Sequence, residues 1–193
     1  MWAEWARPLD LPTDERVAVS RAWRAMIGTG HGRAQEVHVT LSLQEISDRL
    51  ELADLVVRYS AAVDRRAWDL YESLFTPDAV IDYTEAGGIR GAPAEVRAWL
   101  EQVMPSFPAY QHLVSNTELD IDGDVATGRT MLFNPMGLPT PTGVHVAFVG
   151  LWYRDRFVRT PDGWRFAERY EELSWTANWP PGVETDGEGV VSR

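Results

Sequence analysis

The sequence contains no cysteine and no lysine, and all eighteen of its basic residues are arginine. The lack of cysteine excludes disulfides, thiolate nucleophiles and metal centres held by cysteine. The lack of lysine excludes catalysis through a lysine Schiff base. Histidine and the carboxylates are therefore the natural proton carriers of this chain.

Positive charge is also scarce. The 193 residues include 29 acidic and 18 basic side chains, which gives a formal net charge of −11. This balance disfavours binding to nucleic acid, which requires clustered basic residues to neutralise phosphates. No segment reaches the roughly 20 apolar residues of a membrane span, and the charged N-terminal region has no apolar run like that of a secretory signal. The sequence predicts a cytoplasmic protein that binds neither nucleic acid nor membrane.

Composition divides the chain into three parts. Residues 1–41 mix arginine with acidic residues, contain scattered tryptophans and include a glycine-rich stretch. They predict a partly flexible N-terminal extension, which either packs on a neighbouring subunit or lies upstream of the functional part. Residues 42–179 have the length and composition of one domain. Residues 180–193 are rich in proline, glycine and acidic residues and predict a loose acidic tail.

Helical signals dominate the first half of the predicted domain. Ser42 and Glu45 form a capping box, which predicts a long helix from about Leu43 to about Asp64. Its apolar residues recur at helical spacing and predict a face that packs on a sheet: Ile46, Leu50, Ala53, Val56, Val57 and Val63. Further segments predict a short helix (68–75), a turn (76–78), a strand (79–84), a short returning strand (89–91) and a helix that begins at Pro93.

The second half of the domain predicts strands. Four segments have strand-like patterns, and a loop rich in proline and glycine at 134–143 separates the second from the third: 111–122, 125–133, 144–159 and 164–175. Helices followed by successive long strands are typical of an α+β fold with an antiparallel sheet. A strongly twisted sheet that curls around the first helix would enclose a cavity.

Four residues are candidates for chemistry: Tyr59, Asp64, Tyr83 and His112. An imidazole can accept and donate a proton near neutral pH, and a neighbouring aspartate fixes its tautomer and stabilises its protonated form. Phenols can donate hydrogen bonds to a developing enolate without carrying charge. Structural roles remain open for each, because tyrosines are often half-buried core residues and an aspartate that ends a helix is often solvated.

Further candidates would bind the substrate. Asn116 shares a strand face with His112, and Asn134 ends the next predicted strand. Trp68 and Arg169 are also candidate substrate-binding residues. The four histidines lack paired spacings such as HxxxH, so the sequence predicts neither a metal site nor a cofactor.

Several segments carry a family resemblance: YSAAVDRRAWDLYESLFTPDAVIDY, YQHLVSN, IDGDVATGR and DGWRFAERY. Residues 43–176 resemble the SnoaL-like domain of the nuclear transport factor 2-like superfamily. The resemblance implies a cone-shaped α+β barrel, in which a curved mixed, mainly antiparallel sheet wraps around a long N-terminal helix. The scytalone dehydratase and bile-acid 7α-dehydratase branch is similar at Tyr59, Asp64, Tyr83 and His112, and Arg169 is the nearest match for a C-terminal arginine.

The resemblance also implies an activity. It implies a cofactor-independent dehydratase, or lyase, that acts on a small, largely apolar cyclic carbonyl compound, steroid-like or derived from a polyketide. His112, oriented by Asp64, would move the proton, while Tyr59 and Tyr83 would bind the enolate. The alternatives are an isomerase or cyclase with the same base, a non-catalytic ligand-binding or interaction module, and the small subunit of a ring-hydroxylating oxygenase. The family also implies a homodimer or homotrimer.

Overall fold

The computed structural model describes residues 40–180. The predicted extension before residue 40 and the predicted tail after residue 180 lie outside the described residues, so the proposed domain boundaries remain a prediction. No helix within the described part is long and apolar enough to cross a membrane.

Within residues 40–180, helices come first and long strands follow. The helices are α1 (Leu43–Asp64), α2 (Trp68–Ser73) and α3 (Pro93–Val103). Short 3₁₀ turns cover Thr84–Ala86 and Met104–Ser106. The strands are β1 (Phe75–Asp82), β2 (Arg90–Gly91), β3 (Ala109–Tyr110), β4 (Leu113–Asp122), β5 (Val125–Thr140), β6 (Gly143–Thr160) and β7 (Gly163–Ala177).

The strands form one curved, unclosed mixed sheet in the order β2-β1-β7-β6-β5-β3, and β4 also pairs with β5. Strands β1 and β7 are parallel, and every other pair of described strands is antiparallel. The predicted α+β class and the mainly antiparallel sheet are confirmed.

Helix α1 begins where the capping box predicts, because the backbone N–H of Glu45 donates to Ser42 Oγ at 3.1 Å. Its buried face differs in part from the prediction. Leu50 and Val57 are 67% and 54% exposed. The residues that pack on the inner face of the sheet are Leu52, Leu55, Val56, Tyr59, Ala62 and Val63. The helix carries two apolar stripes, and the one that contains the large Tyr59 ring is buried.

Two predicted irregular segments are strands. The predicted turn at 76–78 lies inside β1, where pairing with β7 is interrupted between Phe75 and Val80. The predicted loop at 134–143 is mostly the end of β5, which pairs with β6 up to Thr140. Its prolines are tolerated because this part of β5 has only the two-residue strand β3 on its other side.

Candidate functional site

Asp64 and His112 are brought together from positions 48 residues apart. Asp64 is the last residue of α1, and its carboxylate accepts hydrogen bonds from the His112 backbone N–H, 3.2 Å from each oxygen. His112 Nδ1 lies 2.6 Å from Asp64 Oδ1. Because the carboxylate accepts the proton on Nδ1, the neutral ring presents Nε2 as its free acceptor. The pair therefore has the geometry of an oriented base.

His112 does not begin the long strand as predicted, since β4 starts at Leu113. The residue lies in the short connection between β3 and β4, and the ring of Tyr110 packs edge-on against its imidazole at 6.4 Å. Arg66 holds Tyr110 by donating from Nε to its hydroxyl at 2.9 Å. The His112 side chain keeps 9% exposure and that of Asp64 keeps 25%. The imidazole is therefore nearly buried, while the carboxylate keeps partial contact with solvent.

Tyr59 and Tyr83 form a buried hydroxyl cluster with Tyr71. The Tyr59 and Tyr83 hydroxyls share a hydrogen bond, and the Tyr71 hydroxyl lies 3.3 Å from that of Tyr83. All three side chains are buried. Burial raises the pKa of Tyr59 to about 12 and raises the pKa values of Tyr71 and Tyr83 well above their usual range. These phenols stay protonated near neutral pH and can act as hydrogen-bond donors.

Arg169 supports this cluster from the sheet. Its Nε and Nη2 donate to the two oxygens of Asp155, each at 2.8 Å, and both side chains are fully buried. The guanidinium lies 3.9 Å from the ring centres of both Tyr59 and Tyr153. Burial raises the pKa of Asp155 and the guanidinium opposes that rise. The guanidinium keeps its proton in this range, and its two hydrogen bonds favour the ionised form of Asp155.

Asn134 lies opposite His112. Strands β3 and β4 follow β5 in one register, with Tyr110 opposite Met136 and Leu113 opposite Phe133, which places His112 opposite Asn134. Asn134 is only 8% exposed, and its Oδ1 has no partner among residues 40–180. Its Oδ1 is thus an unpaired acceptor at the position opposite His112.

The other two predicted substrate-binding residues are placed differently. Asn116 is exposed and has a left-handed backbone (φ 48°) at an irregularity of β4, so it does not share the environment of His112. Trp68 is half-buried and packs edge-on against Tyr71 at 6.2 Å. Trp68 therefore lies beside the tyrosine cluster, whereas Asn116 is apart from both groups.

Two groups of polar side chains thus follow each other along the inner side of α1. Tyr59 and Asp64 are five residues apart, which is about 7.5 Å along the helix axis. Both groups therefore contact α1 within its last two turns. This arrangement can place buried hydroxyl donors and an oriented base around one small molecule.

The sequence reasoning missed four inner residues: Tyr71, Tyr153, Asp155 and Glu171. The last three lie on strands in which the sequence shows side chains alternating between two faces. Across β6 and β7, Tyr153 pairs with Glu171 and Asp155 pairs with Arg169. Alternation alone does not tell which of its two sets faces the core. The signal in the sequence that could have identified the buried set was the number of aromatic residues near Arg169.

A hollow in the described part of the chain lies elsewhere. It has a volume of about 770 Å³ and covers the outer face of the sheet, where charged side chains such as Arg129, Arg154 and Glu168 line it. None of Tyr59, Asp64, Tyr83 and His112 lines this hollow. The predicted apolar pocket beside the catalytic candidates remains a prediction.

Comparisons with known proteins agree with this fold. An uncharacterized protein of Mycobacterium tuberculosis (strain H37Rv) is 50% identical over 131 residues, which cover 68% of this chain and 88% of that protein. The structure of a candidate aromatic ring hydroxylase from Novosphingobium aromaticivorans is 25% identical, with a TM-score of 0.62 over 69% of this chain and 94% of that one.

A candidate scytalone dehydratase from Novosphingobium aromaticivorans has the same fold at 16% identity, with a TM-score of 0.63 over 77% of this chain and 96% of that one. The family model of the SnoaL-like domain matches residues 44–170. This match spans most of the described sheet and all of α1 beyond its first residue. The chain belongs to the SnoaL-like domain family.

Proposed function

We propose that the protein is a cofactor-independent dehydratase that removes water from a small, largely apolar ring compound bearing a carbonyl and a hydroxyl. The observation that carries this proposal is the 2.6 Å contact between His112 Nδ1 and Asp64 Oδ1, which leaves Nε2 free. The shared fold with a candidate scytalone dehydratase supports the reaction class.

The proposed reaction is an elimination. His112 Nε2 takes the proton from the carbon next to the carbonyl, and the C–H electrons form an enolate. The enolate then forms the carbon–carbon double bond as the C–O bond to the hydroxyl breaks, and the departing hydroxide takes the proton from His112 to leave as water. Asp64 stabilises the imidazolium between these steps.

The tyrosine cluster would stabilise the enolate. The hydroxyls of Tyr59 and Tyr83 are neutral donors in a buried site, where a hydrogen bond to a developing negative charge is stronger than in water. The unpartnered Asn134 Oδ1, opposite His112 in the strand register, would accept a hydrogen bond from the substrate hydroxyl. Trp68 would supply apolar contact to the ring.

The test is product analysis. The purified protein is incubated with a panel of cyclic ketones that carry a hydroxyl on the second carbon from the carbonyl, and products are analysed by mass spectrometry. Loss of one water supports dehydration. A product of unchanged mass indicates an isomerase or cyclase that uses the same base, and binding without conversion indicates a ligand-binding module.

A separate observation supports one further alternative function. The likeness to a candidate aromatic ring hydroxylase favours testing whether this chain is a subunit of an oxygenase. The discriminating result is copurification with an iron–sulfur protein from the native organism. A protein that dehydrates a cyclic substrate without such a partner contradicts that alternative.

A further inference from the structure

Glu171 is an acidic residue on the inner face of the sheet that the proposed reaction does not use. It pairs with Tyr153 across β6 and β7, and directly paired residues of an antiparallel sheet lie on the same face. Tyr153 is completely buried against Tyr59, so this face is the inner one. Glu171 therefore points towards α1 and the tyrosine cluster.

Polar groups without partners surround this position. The Tyr153 hydroxyl and Arg169 Nη1 are buried and have no hydrogen-bond partner among residues 40–180. Several titratable and charged groups affect the pKa of Glu171 or have a pKa that its charge affects. They lie on α1, α2, β6 and β7 and directly after β1: Arg169, Asp155, Tyr153, Tyr59, Tyr71 and Tyr83. Native proteins rarely leave several buried polar groups unpaired, so this cluster suits a polar atom from outside the chain.

The Glu171 carboxyl has buried neighbours but is itself partly exposed. Burial raises its pKa to about 8, with Arg169 opposing the rise and Asp155 adding to it. The flanking Arg169 and the paired Tyr153 are 1% and 0% exposed, yet Glu171 itself is only half-buried. The raised pKa and the partial exposure of Glu171 are both explained if its carboxyl borders an enclosed space between the sheet and α1 that a small molecule can enter.

We infer that the Glu171 carboxyl and the Tyr153 hydroxyl form an oxygen-binding subsite on the inner face of the sheet, where both groups hydrogen-bond an uncharged oxygen of the substrate. This inference rests on the proposed function, because it adds two groups to the place beside Tyr59 and Tyr83 where the substrate carbonyl would bind. A carboxylic acid that stays neutral in an apolar site is an effective donor to such an oxygen.

The charges around the subsite select the ligand class. Arg169 is neutralised by Asp155 through two hydrogen bonds, so an anionic ligand gains no net attraction there. The subsite therefore favours ketones and alcohols over carboxylates and phosphates.

Binding of the bicyclic ketone 2-tetralone to the full chain tests this inference. Its dissociation constant is measured by tryptophan fluorescence at pH 6.5 and pH 9 for the wild type, Glu171→Gln, Glu171→Leu and Glu168→Gln. The last variant is the matched control, because Glu168 is exposed on the outer face and pairs with Arg156. Circular dichroism confirms that each variant is folded.

In the wild type and in Glu168→Gln, the dissociation constant should rise about tenfold between pH 6.5 and pH 9, the effect of losing one hydrogen bond in a buried site. Glu171→Gln keeps a donor that does not titrate, so its affinity should be the same at both pH values. Glu171→Leu should bind weakly at both. The same pH dependence in Glu171→Gln as in the wild type, or no binding by the wild type at pH 6.5, would overturn the inference.

The result of the binding assay can be distinguished from the result of the dehydration test of the proposed function. The binding assay requires no turnover, so its pH dependence is measured independently of dehydration. Binding with the expected pH dependence but without dehydration of any cyclic substrate would contradict the dehydratase alone. Dehydration with pH-independent binding would contradict the subsite alone.

Discussion

Arg169 and Asp155 form a bidentate ion pair in which both side chains are completely buried. The guanidinium also packs on the rings of Tyr59 and Tyr153, so the pair fixes one side of the tyrosine cluster. A buried charge that loses its partner costs far more than the pair contributes as a whole.

Replacing Arg169 alone should therefore strongly destabilise the fold. We expect Arg169→Met to lower the free energy of unfolding by about 3–5 kcal/mol, because Asp155 is left buried and unpaired. The double variant Arg169→Met/Asp155→Leu should recover much of that loss. Urea denaturation of the three proteins measures the difference, and a loss below about 1 kcal/mol in the single variant would show that the pair does not hold the fold.

The stability of the protein should depend on pH through Glu171. Its pKa is raised from 4.5 to about 8 in the folded state, so the folded chain holds this proton between those values and the unfolded chain does not. The free energy of unfolding should therefore fall as pH rises from about 5 to about 8, by at most about 1.4 kcal/mol per pH unit.

Glu171→Gln isolates this contribution. The difference in stability between the wild type and the variant should change across that pH window and become constant above it. Urea denaturation at pH 5, 6.5, 8 and 9 provides the comparison. Parallel curves for the two proteins at all four values would mean that Glu171 is ionised in the folded state.

Tyr83 joins the other two hydroxyls of its cluster. Tyr83→Phe should lower kcat for dehydration by about 10²–10³, the usual effect of removing one donor to an oxyanion, with a smaller change in KM. Tyr170→Phe is the control, because its hydroxyl binds the exposed Glu85 away from the cluster. Equal kcat values for the two variants would remove Tyr83 from the mechanism.

Asp64 should act through the tautomer of His112. An amide at this position can donate to Nδ1, which moves the ring proton to Nε2 and blocks the proposed base. We expect Asp64→Asn to lower kcat by about 10²–10⁴. Nitrogen-15 NMR of His112 should show the proton on Nδ1 in the wild type and on Nε2 in the variant. An unchanged tautomer with lowered kcat would assign Asp64 a different role.

Local signals in the sequence predicted much of the fold. The capping box at Ser42 and Glu45 is a contact within one turn, so it could be read directly and its helix begins as predicted. The loop predicted at 134–143 was wrong, because proline propensity is local while strand pairing with β6 is decided by the whole sheet. The turn predicted at 76–78 lies within β1, where its pairing with β7 is interrupted.

The candidate site was predictable only in part. The family resemblance indicated Asp64 and His112, which meet in the structure as an oriented pair. Asn116 was expected to share a face with His112, but an irregularity of β4 with a left-handed backbone breaks the alternation there. Glu171 and Asp155 were missed because alternation gives two faces and does not identify the buried one.

The central claim is that His112 is the base of a dehydratase. The most direct test compares kcat/KM of the wild type, His112→Ala and His145→Ala on a cyclic substrate that the wild type dehydrates. His145 is the matched control, because its ring binds the exposed backbone carbonyl of Asn178. We predict that His112→Ala lowers kcat/KM at least about 10²-fold while His145→Ala retains it. Dehydration by folded His112→Ala at the wild-type rate would contradict the account.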